Sequence, residues 1–183
     1  MDVMMYQTLT DRLKELDSKP KLVATTSLAD ELRVVKEPEE LVVMQQAVVI
    51  ADTAMERVSE RIRPGMTEKD VAWQMELAMR ELGAEAVSFE TIVAAGPNAA
   101  LPHHRPADQP IREGEPLIID MGARYQGYCS DLSRTLCLGQ PDDTFRKVYD
   151  TVLGAQLTAI ATVERGMTGG DADGLARTVI EEA

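Results

Sequence analysis

The chain has 183 residues, of which 44% are hydrophobic and 27% charged, enough for one sizeable domain with a real core. Its formal net charge of −12 argues against a phosphate-tracking surface, and so against nucleic acid as the main partner. No run of about 18 apolar residues is present, so no membrane span is expected, and the opening "MDVMMYQTLTDRLKE" has an acid at position 2 and too short an apolar patch to read as a signal peptide.

Residues 8–17 read as a short helix and "KLVATT", 21–26, as a short strand; together they look like the tail of something that begins earlier. The first strong helix is expected over 38–63. Leu41, Met44, Val48, Ala51, Met55, Val58 and Ile62 alternate spacings of three and four, which makes one apolar stripe. Pro38 suits its first turn, Glu37, Glu39 and Glu40 suit its positive end, and Pro64-Gly65 stops it. A second helix over 68–82 has Thr67 as N-cap, Asp70 three residues on as a capping-box partner, and Val71, Met75, Ala78 and Leu82 as its stripe. Gly83 closes it.

A strand, "SFETIVAAG" (88–96), leads into the loop "PNAALPHHRPADQP" (97–110), whose four prolines forbid helix and central strand. Then comes "PLIIDMGARYQGYCSDLSRTLCL", which reads as a hairpin turning within Gly122 to Gly127. A third helix is expected over 142–165, with Phe145, Val148, Val152, Ala155, Ala159 and Val163 at helical spacing and Gly166 at its end. Cys129 and Cys137 lie eight apart on one expected strand, about 26 Å at 3.3 Å per residue, too far to bond each other. They read as free thiols acting as small buried hydrophobes, which suggests a reducing cytoplasm.

The last segment repeats an earlier one. "IRPGMTEKDVAWQME" from Ile62 aligns with "VERGMTGGDADGLAR" from Val163 at an offset of 101, and the preceding helices align at the same offset. A duplicated unit of helix, Gly-Met-Thr, helix, strand, loop and hairpin follows. The first copy is complete from 38 to about 138, and the second contains only its two helices.

The hairpin holds two aspartates, Asp120 and Asp131, in otherwise apolar sheet sequence. An unpaired buried carboxylate costs several kcal/mol or is neutralised. Arg124 or Arg134 would answer it as an ion pair. Alternatively, the two strands side by side would bring the aspartates across the ladder at about 5 Å, a donor pair suited to hard divalent ions.

The stretch "FETIVAAGPNAALPHHRPADQPIREGEPLIIDMGARYQGYCSDLSRTLCLG" resembles the proline-specific metallopeptidases, prolidase (Xaa-Pro dipeptidase) and aminopeptidase P, of the methionine aminopeptidase and creatinase superfamily. "LRVVKEPEELVVMQQAVVIAD" resembles the segment that opens their catalytic domain. The resemblance implies an α+β chain with a partial pita-bread fold: one helix-helix-strand-hairpin unit plus the two helices of a second. Residues 1–30 would end an amino-terminal creatinase-like domain, and 31–183 would form the first part of the catalytic domain. Asp120 and Asp131 match two metal ligands, and His103 matches the histidine that contacts the substrate and stabilises the tetrahedral intermediate. His104 is adjacent and is separated from it only weakly by sequence. Phe89 falls where the family places an aromatic in the proline pocket, though an ordinary core phenylalanine accounts for it as well. Thr135, on the strand that follows Asp131, would hydrogen-bond to the acidic pair.

The resemblance implies two divalent ions (Mn, Co or Zn) in a complete enzyme, held by five ligands. The other three, a histidine and two glutamates, have no counterpart here: no histidine follows Asp131, and Glu164, Glu181 and Glu182 lie on expected helices. Metal binding by this chain is therefore expected to be weak or absent, and the chain alone inactive. The implied activity is hydrolysis of an Xaa-Pro dipeptide or a proline-containing peptide by the parent protein, in the cytoplasm. The alternative is a non-catalytic binding or regulatory module on the same scaffold. An uncovered apolar face would favour a homo-oligomer, such as a dimer, or a complementing chain.

Overall fold

The computed structural model describes residues 2–18 and 20–183. The chain divides into two compact units, Met1–Pro38 and Glu39–Ala183. In the first, α1 spans Val3–Lys14, capped by Asp2, whose Oδ1 accepts from the Met5 N–H at 2.8 Å. α2 spans Leu28–Val34. The expected helix at 8–17 thus begins earlier, and 21–26 forms no strand. No other strand is described in that unit, and so short an apolar run without a partner gains too little from extended backbone to hold it.

The second unit begins with α3 (Pro38–Ser59) and α4 (Glu68–Glu81). Strands β1 (Ala86–Val87), β2 (Ile92–Ala95) and β3 (Pro116–Met121) follow, with a short 3₁₀ turn at Gly96–Ala100 after β2. β4 (Ala123–Tyr125), β5 (Tyr128–Cys129) and β6 (Leu132–Cys137) complete two antiparallel sheets, β2-β3-β6 and β1-β4-β5. α5 (Asp143–Thr162) and α6 (Gly169–Glu181) end the unit.

β3 alternates: Leu117, Ile119 and Met121 are fully buried, whereas Ile118 and Asp120 on the other face are half-buried. The buried face packs with Val93 and Ala95 of β2 against Ile50, Ala54 and Val58 of α3 and Val71, Met75 and Met79 of α4. Each such fully buried large side chain contributes about 1.5–3 kcal/mol. The α3 stripe differs from the expected one at its start: Leu41 and Val48 are exposed and Ala47 and Ile50 buried. The sheet covers only the later turns of the helix, so tertiary contact rather than periodicity selects the buried rows there.

The duplication is visible in backbone geometry. Gly65 and Gly166 both hold positive φ, at 92° and 100°. Thr67 and Thr168 each cap the following helix through a reciprocal capping box, with Asp70 and Asp171 respectively. The copies differ in burial. α5 and α6 pack on each other, yet Val148, Val152 and Val163 of the expected α5 stripe are 57%, 54% and 52% exposed, and Ala155 alone of α5 is buried. No described strand covers that stripe as β2-β3-β6 covers α3 and α4.

Candidate metal and substrate site

The hairpin turns at Gln126-Gly127, both at positive φ, 45° and 81°, the backbone of a tight two-residue turn. β3 pairs Met121 with Leu132, and β4 pairs Arg124 with Cys129. One register therefore runs the length of the hairpin and sets Gly122 against Asp131. Asp120 lies opposite Ser133, whose hydroxyl donates to Asp120 Oδ1 at 2.8 Å. The aspartates are thus diagonal neighbours, at about 7–8 Å between backbones, rather than the direct pair expected from sequence. Ser133, not Thr135, supplies the hydrogen bond; Thr135 lies opposite Ile118.

Gly122 explains why the ladder is interrupted. A Cβ there would lie 1.9 Å from the Ser130 carbonyl oxygen, so only glycine lets that carbonyl lean across the strand. The Ser130 hydroxyl takes over its ladder role, accepting from the Ala123 N–H at 3.0 Å, while the Ser130 N–H donates to the Ala123 carbonyl at 2.9 Å. On the other side, the Ser88 N–H donates to the Gly122 carbonyl at 2.8 Å. The bend leaves Asp131 exposed just before β6.

Neither arginine answers the acidic pair. Arg124 lies 3.7 Å from Glu85, and Arg134 donates to the Ser133 carbonyl at 2.8 Å. Among the described residues no ion pair involves Asp120 or Asp131. Two carboxylates in one patch, unneutralised by arginine, fit a hard divalent cation by donor type. In number they fall short: among the described residues no group of three or more His, Cys, Asp or Glu side chains could hold a metal.

Phe89 lies on the segment that leads into β2 at the Asp120 end of the sheet. Ile92 of β2 lies opposite Asp120, and Phe89 precedes it by three residues, next to Ser88 at the Gly122 bend. Phe89 is half-buried and stands outside the core cluster. Arg105 of the histidine loop reaches Glu90 at 3.3 Å, which returns the loop along β2 towards Phe89. His103 is exposed. Cys129 and Cys137 are both free, but they lie on separate strands and neither is buried as expected: Cys129 is exposed and Cys137 half-buried.

The structure separates the two histidines by what they touch. The His104 Nε2 lies 2.7 Å from Glu68 Oε2. Glu68, at the start of α4, is 0% exposed, and its carboxylate accepts three further bonds, from the Ala95 N–H at 2.8 Å, the Asn98 amide at 2.9 Å and the Ala107 N–H at 2.9 Å. Burial pushes its pKa up, but the four donors together outweigh burial and hold it below the ordinary glutamate range. With the carboxylate ionised, the ring Nε2 carries the proton and donates. Nothing in the local sequence marks Glu68; a lone Glu after a Thr cap reads as favourable first-turn charge.

Ile118, Ser133 and Thr135 form one wall of a groove of about 1040 Å³, with Phe145, Val148, Tyr149 and Val152 of α5 opposite and Pro97 and Ala99 at its rim. It opens on the sheet face that carries Asp120.

Residues 42–183 match the model of metallopeptidase family M24. The chain belongs to that family. Its members are metallopeptidases, which implies divalent metal chemistry in the family. The chain is 35% identical over 175 residues to the Xaa-Pro dipeptidase of Pyrococcus furiosus, covering 96% of this chain and 50% of that protein. Its fold superposes on an Xaa-Pro dipeptidase from Bacillus anthracis with a TM-score of 0.92 at 36% identity, covering 100% of this chain and 50% of that one. An X-Pro aminopeptidase from Thermotoga maritima gives a TM-score of 0.91 at 34% identity, covering 100% and 51%. The α+β architecture is therefore that of part of the pita-bread fold. The chain spans about half the length of the curated relatives it matches. No helix among the described residues is long and apolar enough to cross a membrane.

Proposed function

We propose that this chain carries the first part of the catalytic domain of a dinuclear-metal peptidase that cleaves Xaa-Pro bonds, and that by itself it is inactive. The observation that carries the proposal is the acidic pair at the Gly122 bend, without an arginine partner among the described residues. Residues 31–183 belong to that domain and 1–30 to the end of an amino-terminal one. Asp120 and Asp131 would hold the cations, Mn, Co or Zn. A divalent ion there supplies Lewis acidity towards the scissile carbonyl and its attacking water.

The chain's own residues do the rest. The Ser133 hydroxyl fixes the Asp120 carboxylate by donating to Oδ1. His103, exposed on its loop, contacts the substrate at the carbonyl. Phe89 offers an aromatic face to the proline ring. His104, placed beside the substrate by the family resemblance, contributes through the loop conformation that its bond to Glu68 sets. The substrate is an Xaa-Pro dipeptide or a proline-containing peptide, the working place the cytoplasm, and the assembly a homo-oligomer such as a dimer, or a pairing with a complementing chain.

One observation favours a second interpretation, a binding module: the lack of a third ligand among the described residues. Titration of Mn2+ into the 15N-labelled chain separates the two, because paramagnetic broadening reports even weak sites. Broadening should centre on Gly122, residues 130–132 and His103, and Asp131→Ala should remove it. Broadening spread over the acidic surface and indifferent to Asp131→Ala would reject the metallopeptidase proposal.

A further inference from the structure

Glu68 is a buried carboxylate that the chemistry above does not use. Its four bonds go to one segment: the last residue of β2 (Ala95), the 3₁₀ turn (Asn98), the histidine loop (His104) and the far side of that loop (Ala107). His103 sits between the bracketed points. Between the 3₁₀ turn and Ala107 the described backbone bonds are short-range, Leu101 N–H to the Asn98 carbonyl at 2.9 Å and His104 N–H to the Leu101 carbonyl at 3.2 Å, while past His103 the Lys69 and Glu68 N–H groups hold the Ala107 and Gln109 carbonyls at 3.3 and 3.1 Å. Four prolines stiffen the loop locally but do not fix where it lies.

The internal repeat supplies a control for what Glu68 is for. Gly-Met-Thr, the positive-φ glycine, the threonine cap and the aspartate of the capping box are the same before α4 and α6. At the position of Glu68 the second copy has Gly169. The helix start therefore forms without a glutamate, and Glu68 serves the loop rather than the helix.

We infer that Glu68 is a positioning residue for His103, acting through His104 and the two backbone N–H groups that bracket the loop. The inference rests on His103 being the substrate-contacting histidine, and it assigns Glu68 no contact with substrate or metal. A carboxylate is required because every one of its four neighbours donates. Glutamine would set an NH2 group where two donors converge.

NMR on the 15N-labelled chain tests this without any need for turnover. In the wild type, His104 should show the Nε2–H tautomer, and residues 101–106 should have backbone order parameters near those of β2 and β3, about 0.85. Glu68→Gln should abolish the His104 signature and drop the order parameters around His103 below about 0.6, with the α4 amides unchanged. His104→Gln keeps a donor at the Nε2 position and should preserve the order of His103; His104→Ala should not. This pair stands on a partly exposed residue and decides the matter if Glu68→Gln fails to fold. An ordered His103 in Glu68→Gln, whatever its melting temperature, would overturn the inference, as would equal order in the two His104 variants. A failed metal proposal would show instead in the Mn2+ titration and leave these spectra intact.

Discussion

Glu68 is the clearest case of a residue whose role lies outside its own sequence neighbourhood. Its partners are 27 to 39 positions away, so nothing within a helical window marks it. His103, Asp120 and Asp131 can be singled out as candidates for the opposite reason: they sit in a compact motif whose spacing carries the family resemblance. The bond between Ser133 and Asp120 was missed in favour of Thr135 because it depends on the cross-strand register, which hydrophobic alternation leaves free by steps of two. A pH prediction belongs here. The folded-state pKa of Glu68 is lowered, so its ionisation stabilises the fold above the unfolded value of about 4.3. That contribution is lost as pH falls through the lower folded value. Thermal melts taken at decreasing pH should therefore show a steeper acid limb below about pH 4.3 in the wild type than in Glu68→Gln. Parallel limbs would mean that the carboxylate is not held ionised.

At the scale of elements, caps and turns were legible and breaks in strands were not. The Thr-x-x-Asp boxes of α4 and α6 are local hydrogen-bond logic and appear as expected. The expected strand 88–96 is cut back to β2, with the separate short β1 before it, because β2 pairs with β3 and β1 with β4, two stretches of one hairpin arm on either side of Gly122. That break is a property of two sheets meeting, and the sequence of one strand does not contain it. The bend itself yields a prediction. Gly122→Ala would press a methyl group against the Ser130 carbonyl, backbone that has no easy way to move. We expect a loss of more than about 3 kcal/mol in chemical denaturation, at the upper end for single substitutions, with the resonances of residues 130–132 shifted most. A loss under about 1 kcal/mol would mean that the ladder can realign without the kink.

For the whole molecule, the duplication was readable because it rests on a constant offset across two helices and their joint. Its unequal burial was not, since periodicity shows which face a helix would bury and not whether anything covers it. Val148, Val152 and Val163 of the α5 stripe and its exit all stand at least 52% exposed. So large an apolar surface favours association. Light scattering over a concentration series should give a mass above the 20.1 kDa of one chain, and Val152→Glu should lower it. A monodisperse single chain at all concentrations would show that the stripe tolerates water.

The two-residue turn at Gln126-Gly127 has a kinetic corollary. Because the arms meet close in sequence, zipping them together closes short loops at low entropic cost and belongs to the fast events of folding, on the order of microseconds. Both aspartates ride on those arms. Their spacing is thus laid down early and locally, and lesions in α6 should leave it unaltered.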